Sequence, residues 1–198
     1  MNVKQLSATR MVASLGTVTV VAAGLLAGVY TMTQKPIADA ERNRRTEAIQ
    51  SVLPAFDNDV IADAVNITIA GENRPVIIYP AKVGGKPAGA AVQTYSADGF
   101  SGEITIMVGI GADGLITGYE VLSHAETPGL GAKMNDWFRD SRGHRSVIGR
   151  DPREAGFRVS KDSGGDIDGI TAATITSRAF LGALRRASDA YAIYTDTI

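Results

Sequence analysis

Two short polar segments hold most of the residues able to do chemistry. Residues 123–138, SHAETPGLGAKMNDWF, gather a carboxylate (Glu126), a hydroxyl (Thr127), Pro128, Gly129, Leu130, Gly131 and a cation (Lys133). Residues 168–180, DGITAATITSRAF, set four hydroxyl side chains and two alanines between Asp168-Gly169 and an apolar helix signal. At a helix entrance the unpaired backbone N–H groups and the positive end of the dipole favour an anion. In the plainest reading one or two of Thr174, Thr176 and Ser177 act as N-caps. Capping does not call for Ala172 and Ala173, whose small side chains let a large group approach the backbone. In the first segment a turn and a short amphipathic helix, with Trp137 and Phe138 facing the core, explain Pro128 and Gly129. They do not require Glu126, Thr127 and Lys133 together, whereas a polar ligand lying against exposed backbone would use all three.

Composition limits what that ligand can be. The chain of 198 residues has a formal net charge of −1, which gives no electrostatic reason to expect a nucleic-acid partner. It has no Cys, which removes disulfides, thiolate metal sites and iron–sulfur ligation. With His124 and His144 its only histidines, no metal site is expected. No acid–base pair, nucleophile triad or nicotinamide site is found either, so any redox group must be an organic cofactor and no catalytic residue is assigned. Gly109-x-Gly111-x-x-Gly114 has the spacing of a dinucleotide loop, but LITGYEVL follows it with strand alternation, so these glycines serve a hairpin.

The elements that must position the two segments are legible in outline. Met11 to Thr33 carries no charge over 23 residues, enough at about 1.5 Å per residue to cross an apolar layer of roughly 30 Å. It is too long for the apolar part of a cleaved signal peptide, so a retained anchor is expected. A juxtamembrane helix is expected from Pro36 to Leu53, ended by Pro54, with Ile49, Val52 and Leu53 as an apolar patch. RPVIIYPA, a Gly84-Gly85 turn and PAGAAVQTYS predict one hairpin, and EITIMVGIGADGLITGYEVLSH a second around Asp113-Gly114. Phe180, Leu184, Ala187, Tyr191 and Tyr194 recur at spacings of 4, 3, 4 and 3, one stripe of a helix beginning near Thr176 or Ser177.

Asp168-Gly169-Ile170-Thr171-Ala172-Ala173-Thr174 resembles the flavin-attachment signature Asp-x-x-(Ser/Thr)-Gly-Ala-Thr of the FMN-binding domain family. The resemblance implies that Thr174 carries FMN through a phosphoester installed by a dedicated flavin transferase, and that Asp168 and Thr171 belong to the sequence the transferase reads. Ala172 stands where that family has Gly, so ordinary backbone angles are expected there. The N-terminal span, YSADGFSGEITIMVGI, HAETPGLGAK and the terminal motif occur in the order of the G subunits of Rnf (Rsx) electron-transport complexes, relatives of the C subunits of the sodium-pumping Nqr enzymes. HAETPGLGAK is then expected to form the other wall of the flavin slot. Leu130 would touch the ring, Glu126 and Thr127 its polar atoms, and Lys133 the charge of the reduced flavin.

These readings give an α+β fold: an FMN-binding domain of antiparallel hairpins and flanking helices (57–198), preceded by an N-terminal flank (1–10), a transmembrane helix (11–33) and a juxtamembrane helix and linker (34–56). The resemblance implies a covalent-flavin redox subunit of a membrane-bound ferredoxin:NAD oxidoreductase coupled to Na⁺ or H⁺ translocation, with no turnover of its own. Its partners would be the other subunits of the complex, the flavin transferase and membrane lipid. An Nqr C-type subunit and a non-redox, membrane-anchored binding module are the alternatives. Lys4 and Arg10 before the span, against Lys35, Arg42, Arg44 and Arg45 after it, favour a cytoplasmic domain. The resemblance implies a periplasmic one on the bacterial inner membrane, and that orientation is the expectation adopted.

Overall fold

The computed structural model describes residues 3–72 and 74–197. The first two residues of the expected flank, and Asn73 and Ile198 of the expected flavin domain, lie outside them. The chain forms two compact units, Met1–Arg44 and Arg45–Ile198.

The first unit is helical throughout its described residues and belongs to α1 (Val3–Val52), which is continuous through Pro36. The expectation of a new helix starting at Pro36 is therefore corrected. A proline removes one backbone N–H and one hydrogen bond, and the helix formers around it carry the helix on. Met11, Leu15, Leu25, Leu26 and Val29 are all exposed along this helix, which is long and apolar enough to cross a membrane. Four of its threonines turn their hydroxyls inward onto the backbone: Thr17, Thr19, Thr31 and Thr33 donate to carbonyls three or four residues earlier at 2.8–2.9 Å. They expose no unpaired donor to an apolar surrounding.

The second unit is built on an antiparallel meander in the order β1 (Val65–Ile67), β2 (Val76–Val83), β3 (Lys86–Ser96), β4 (Ile104–Gly111), β5 (Ile116–Ser123). Both predicted hairpins are present, the first turning at Gly84-Gly85 and the second at Gly114 with φ 81°. The inner strands read as nearly unbroken apolar runs because both faces of the sheet are covered. On one face Ile78, Val92, Ile106, Val108 and Ile110 pack with Phe180, Leu184, Ala187 and Ala190 of α3 (Thr174–Thr195). On the other, Ala48, Ile49, Val52 and Leu53 at the end of α1 pack with Tyr79, Ala81, Ala91 and Met107. The patch read at Ile49, Val52 and Leu53 is thus core.

Gly109 and Gly118 face each other across β4 and β5 and make room for that helix end. A Cβ on Gly109 would lie 2.0 Å from the Val52 carbonyl oxygen, and Thr117 donates its hydroxyl to the same oxygen at 2.6 Å. A strand leads out of the glycine motif, as its alternating residues predict, and no dinucleotide loop forms.

After β5 come a 3₁₀ turn (Gly131–Lys133) and α2 (Met134–Trp137), fastened beneath α3 by aromatic contacts. Phe138 stacks on Phe180 at 4.6 Å, Tyr119 meets Phe180 edge-on at 4.9 Å, and the buried Tyr119 hydroxyl donates to the Met134 carbonyl at 2.8 Å. Residues 139–173 then run without helix, and their single bridge pairs Val159 with Ile167. The buried side chains of Val147, Phe157, Val159, Ile167 and Ile170 pin this stretch to the core. Arg150 also holds it, reaching Asp166 at 2.9 Å, as does Arg185, which donates to the Phe157 carbonyl.

Candidate functional site

The two polar segments meet across a cleft of about 340 Å³, within the range of small-molecule sites. Ala172, Ala173, Thr174, Ile175 and Thr176 form one wall, and Glu126, Thr127, Leu130, Gly131 and Phe100 the other. Asp168, Gly169, Thr171, Gly129 and Lys133 lie outside the lining.

The first wall is the start of α3, which begins at Thr174 rather than at the expected Thr176 or Ser177. Its N-cap is Ala173, with φ −136° and ψ 48°, and no side chain caps it. The hydroxyls expected as caps are engaged elsewhere. Thr176 donates to Glu126 Oε2 at 2.7 Å, across the cleft floor. Ser177 donates to the Ala173 carbonyl and accepts from the Ile170 N–H, both at 2.9 Å. A helix of 22 residues therefore starts with its first-turn N–H groups, those of Thr174, Ile175 and Thr176, lacking a side-chain acceptor beside the cleft. Thr174 is half-buried, and its hydroxyl accepts from Lys161 Nζ at 3.4 Å.

Ala172 departs from expectation. Its φ is +62°, the one positive value at a non-glycine among the described residues. The site keeps the backbone shape that Gly adopts freely, at a cost of roughly 1–2 kcal/mol for a Cβ in this region. The surrounding bonds impose it: Ala173 N–H donates to the Ile170 carbonyl at 3.0 Å, and Ser177 holds both ends of the same turn.

Asp168 and Gly169 brace this turn from beneath. Asp168 Oδ2 accepts from the His144 N–H at 3.1 Å, and its carbonyl accepts from Trp137 Nε1 at 2.7 Å. A Cβ on Gly169 would press within 2.8 Å of Val159 Cγ1.

On the second wall Glu126 is buried and both its carboxylate oxygens are taken, Oε1 by the Ser101 N–H at 3.0 Å and Oε2 by Thr176. It braces the two walls through these two bonds while lining the cleft. Gly131 is small by necessity, since a Cβ there would meet Glu126 Oε2 at 2.4 Å. Lys133, expected beside the flavin ring, is exposed and away from the cleft, because the 3₁₀ turn directs it to solvent.

Three lining or neighbouring residues escaped the sequence reading. Phe100, in the turn between β3 and β4, is 69% exposed at the cleft rim, and Ile175 is 49% exposed opposite it. An aromatic left in water within a glycine-flanked turn was the available signal for Phe100. Lys161 had none, because it lies 13 positions before Thr174 across irregular chain. Its loop is tied to α3 by Arg178, which grips Asp162 at 3.0 Å and holds that carboxyl below its ordinary range.

Comparison with known proteins decides the family. The FMN-binding domain family model matches residues 99–189, which include every residue lining the cleft. The chain is 35% identical over 176 residues to the G subunit of the ion-translocating oxidoreductase complex of Aliivibrio fischeri (strain MJ11), covering 85% of this chain and 82% of that protein. It is 36% identical over 185 residues to the protein of the same name from Yersinia pestis, covering 89% and 85%. For the Escherichia coli (strain K12) protein of that name the figures are 36% over 185 residues, 88% and 84%.

The chain belongs to this family of G subunits.

The cleft of this family member fits FMN. The uncapped helix start suits a phosphate, while Phe100, Leu130 and Ile175 offer apolar surface to a ring. Ala172, Ala173 and Gly131 leave backbone open to close approach.

Proposed function

We propose that this chain is the FMN-carrying electron-transfer subunit of a membrane-bound, ion-translocating oxidoreductase complex of the Rnf type, with the flavin phosphate esterified to Thr174. One observation carries the covalent assignment. Of the three hydroxyls at the start of α3, Thr176 and Ser177 are occupied by a buried carboxylate and by backbone, and Thr174 lines the cleft with only an ammonium beside it. Ester formation replaces the Oγ1–H bond with an Oγ1–P bond, displaces a leaving group from an activated flavin nucleotide and releases the hydroxyl proton. The flavin transferase supplies that chemistry, since no general base stands within hydrogen-bonding reach of Thr174 among the described residues.

The bound flavin supplies the capacity to accept and pass electrons. The protein holds its phosphate at the helix start, fixes the wall spacing through the Thr176–Glu126–Ser101 brace, and presents one apolar side to partner subunits. The α1 helix anchors the chain in the inner membrane, and residues 35–198 face the periplasm. Export is compatible with the basic residues after the span, because the charge rule governs short loops and the exported segment is one long folded domain. A covalent link suits that side, where no FMN pool would refill an empty site.

The test is the intact mass of the full chain made with and without a flavin transferase. The reading expects an FMN phosphoester increment only with the transferase, and yellow, fluorescent protein that keeps its flavin when denatured. A chain that loses all flavin on denaturation would be a non-covalent binding module. Orientation is read separately by a phosphatase fused after Ile198, active if that end is periplasmic and silent if it is cytoplasmic.

A further inference from the structure

The cation beside Thr174 is one that no motif singles out. Lys161 Nζ lies 3.4 Å from Thr174 Oγ1, the oxygen that would become the ester oxygen. Among the described residues its ammonium has no carboxylate partner, since the adjacent Asp162 is taken by Arg178. Its backbone is fixed by a tight turn: Ser160 N–H donates to the Ile167 carbonyl at 2.7 Å, and Asp162 N–H to the Val159 carbonyl at 2.8 Å. A long, strongly hydrated side chain is thus carried on a braced loop, with its charge directed at a hydroxyl. A hydroxyl alone gives that ammonium little.

A phosphodiester would give it a full charge. The helix start contributes an effective charge of about half a unit, against one whole negative charge on the diester. A cation within a few ångströms would balance the remainder, and Lys161 is the one whose ammonium reaches Thr174 Oγ1. Resting on the reading of Thr174 as the attachment residue, we propose that Lys161 is the counter-cation of the flavin phosphodiester, pairing with its non-bridging oxygens once the ester forms. The unesterified chain holds the ammonium in waiting on the hydroxyl.

The experiment uses the full chain in detergent, made with the flavin transferase, as wild type, Lys161→Met, Lys161→Arg and Thr174→Ala. Intact mass reports loading, the ³¹P resonance of the diester reports its surroundings, and an amine-acetylating reagent reports how available Lys161 is. The proposal expects the ³¹P resonance to move in Lys161→Met and to stay near the wild-type position in Lys161→Arg. It expects Lys161 to acetylate several-fold more slowly in the loaded wild type than in Thr174→Ala, because pairing with the diester shields its amine, with exposed Lys133 unchanged. Failure of Lys161→Met to load while Lys161→Arg loads also supports it. A resonance common to all loaded chains, or equal acetylation with and without flavin, overturns it and leaves the attachment reading intact. A wild type with no FMN increment overturns both.

Discussion

The two walls of the cleft are built on opposite principles. The wall at the start of α3 is held from behind: Ser177, Asp168 and Trp137 fix the turn through hydrogen bonds, and that rigidity keeps Ala172 at φ +62° and leaves the helix uncapped. The facing wall is held across the gap by one buried carboxylate, Glu126, and its apolar side chains Phe100 and Leu130 remain exposed at the rim. The first wall can place a phosphorus atom against one oxygen. The second can only shape the space in front of it. On the proposed reading, chemistry belongs to the turn 170–174, and fit to residues 100 and 126–131.

The strongest way to break this division is Thr174→Ala. All covalent flavin should disappear from the intact mass, while the melting temperature stays close to that of unloaded wild type, because Thr174 caps nothing. A loss of several degrees would mean that the hydroxyl serves the fold.

Glu126→Ala should come next in size. It strips partners from the buried Thr176 hydroxyl, at about 1–3 kcal/mol for a buried group left unpaired, and from the N–H of exposed Ser101, which water can reach. Thermal unfolding should then fall by roughly 2–4 °C for every kcal/mol lost in a domain of this size. An unchanged melting temperature would show that the walls are not braced through this residue.

Phe100→Ala tests the second wall for fit alone. Stability should hold within about 0.5 kcal/mol, as for other exposed positions, and the phosphoester should form as before. The visible absorption bands of the attached flavin should shift as apolar surface is removed and water reaches the ring, and an unaltered spectrum would take Phe100 off the ring. Ala172→Gly has a smaller effect of opposite sign. Relief of the left-handed strain should stabilise the domain by about 1 kcal/mol, net of the extra freedom of Gly, and raise melting by roughly 2–4 °C.

The smallest effect is expected at Asp162. Arg178 lowers this carboxyl's pKa in the folded chain. Its contribution is therefore present above the unfolded carboxylate range near pH 4 and is lost as pH falls through the folded value. Asp162→Asn should flatten the acid limb of the stability profile slightly and leave neutral stability nearly unchanged, as for an exposed pair.

Local chemistry made much of this molecule readable in advance. An uncharged run of 23 residues, two glycine turns between apolar runs and a 4-3-4-3 stripe are each properties of neighbouring residues. The anchor helix, both hairpins and the buried face of α3 follow from them. The polar clusters at 126–131 and 172–176 were legible as well, because small residues and hydroxyls have few reasons to crowd a helix entrance. Other features depend on contacts between residues far apart in the chain, and only the tertiary structure decided them. Gly109 looks like a hairpin glycine until Val52 is found against it. Ala172 was expected to have ordinary angles, and Ser177, five residues on, fixes the turn that forbids them. The bracing role of Glu126 has no local signal, because its partners Ser101 and Thr176 lie 25 and 50 residues away. Lys133 and Lys161 are both single lysines in polar loops. The sequence singles out only the first, for the ring. The packing of an irregular stretch with no period to read, pinned by Val159 and Ile167 and tied by Arg178, brought the second to Thr174.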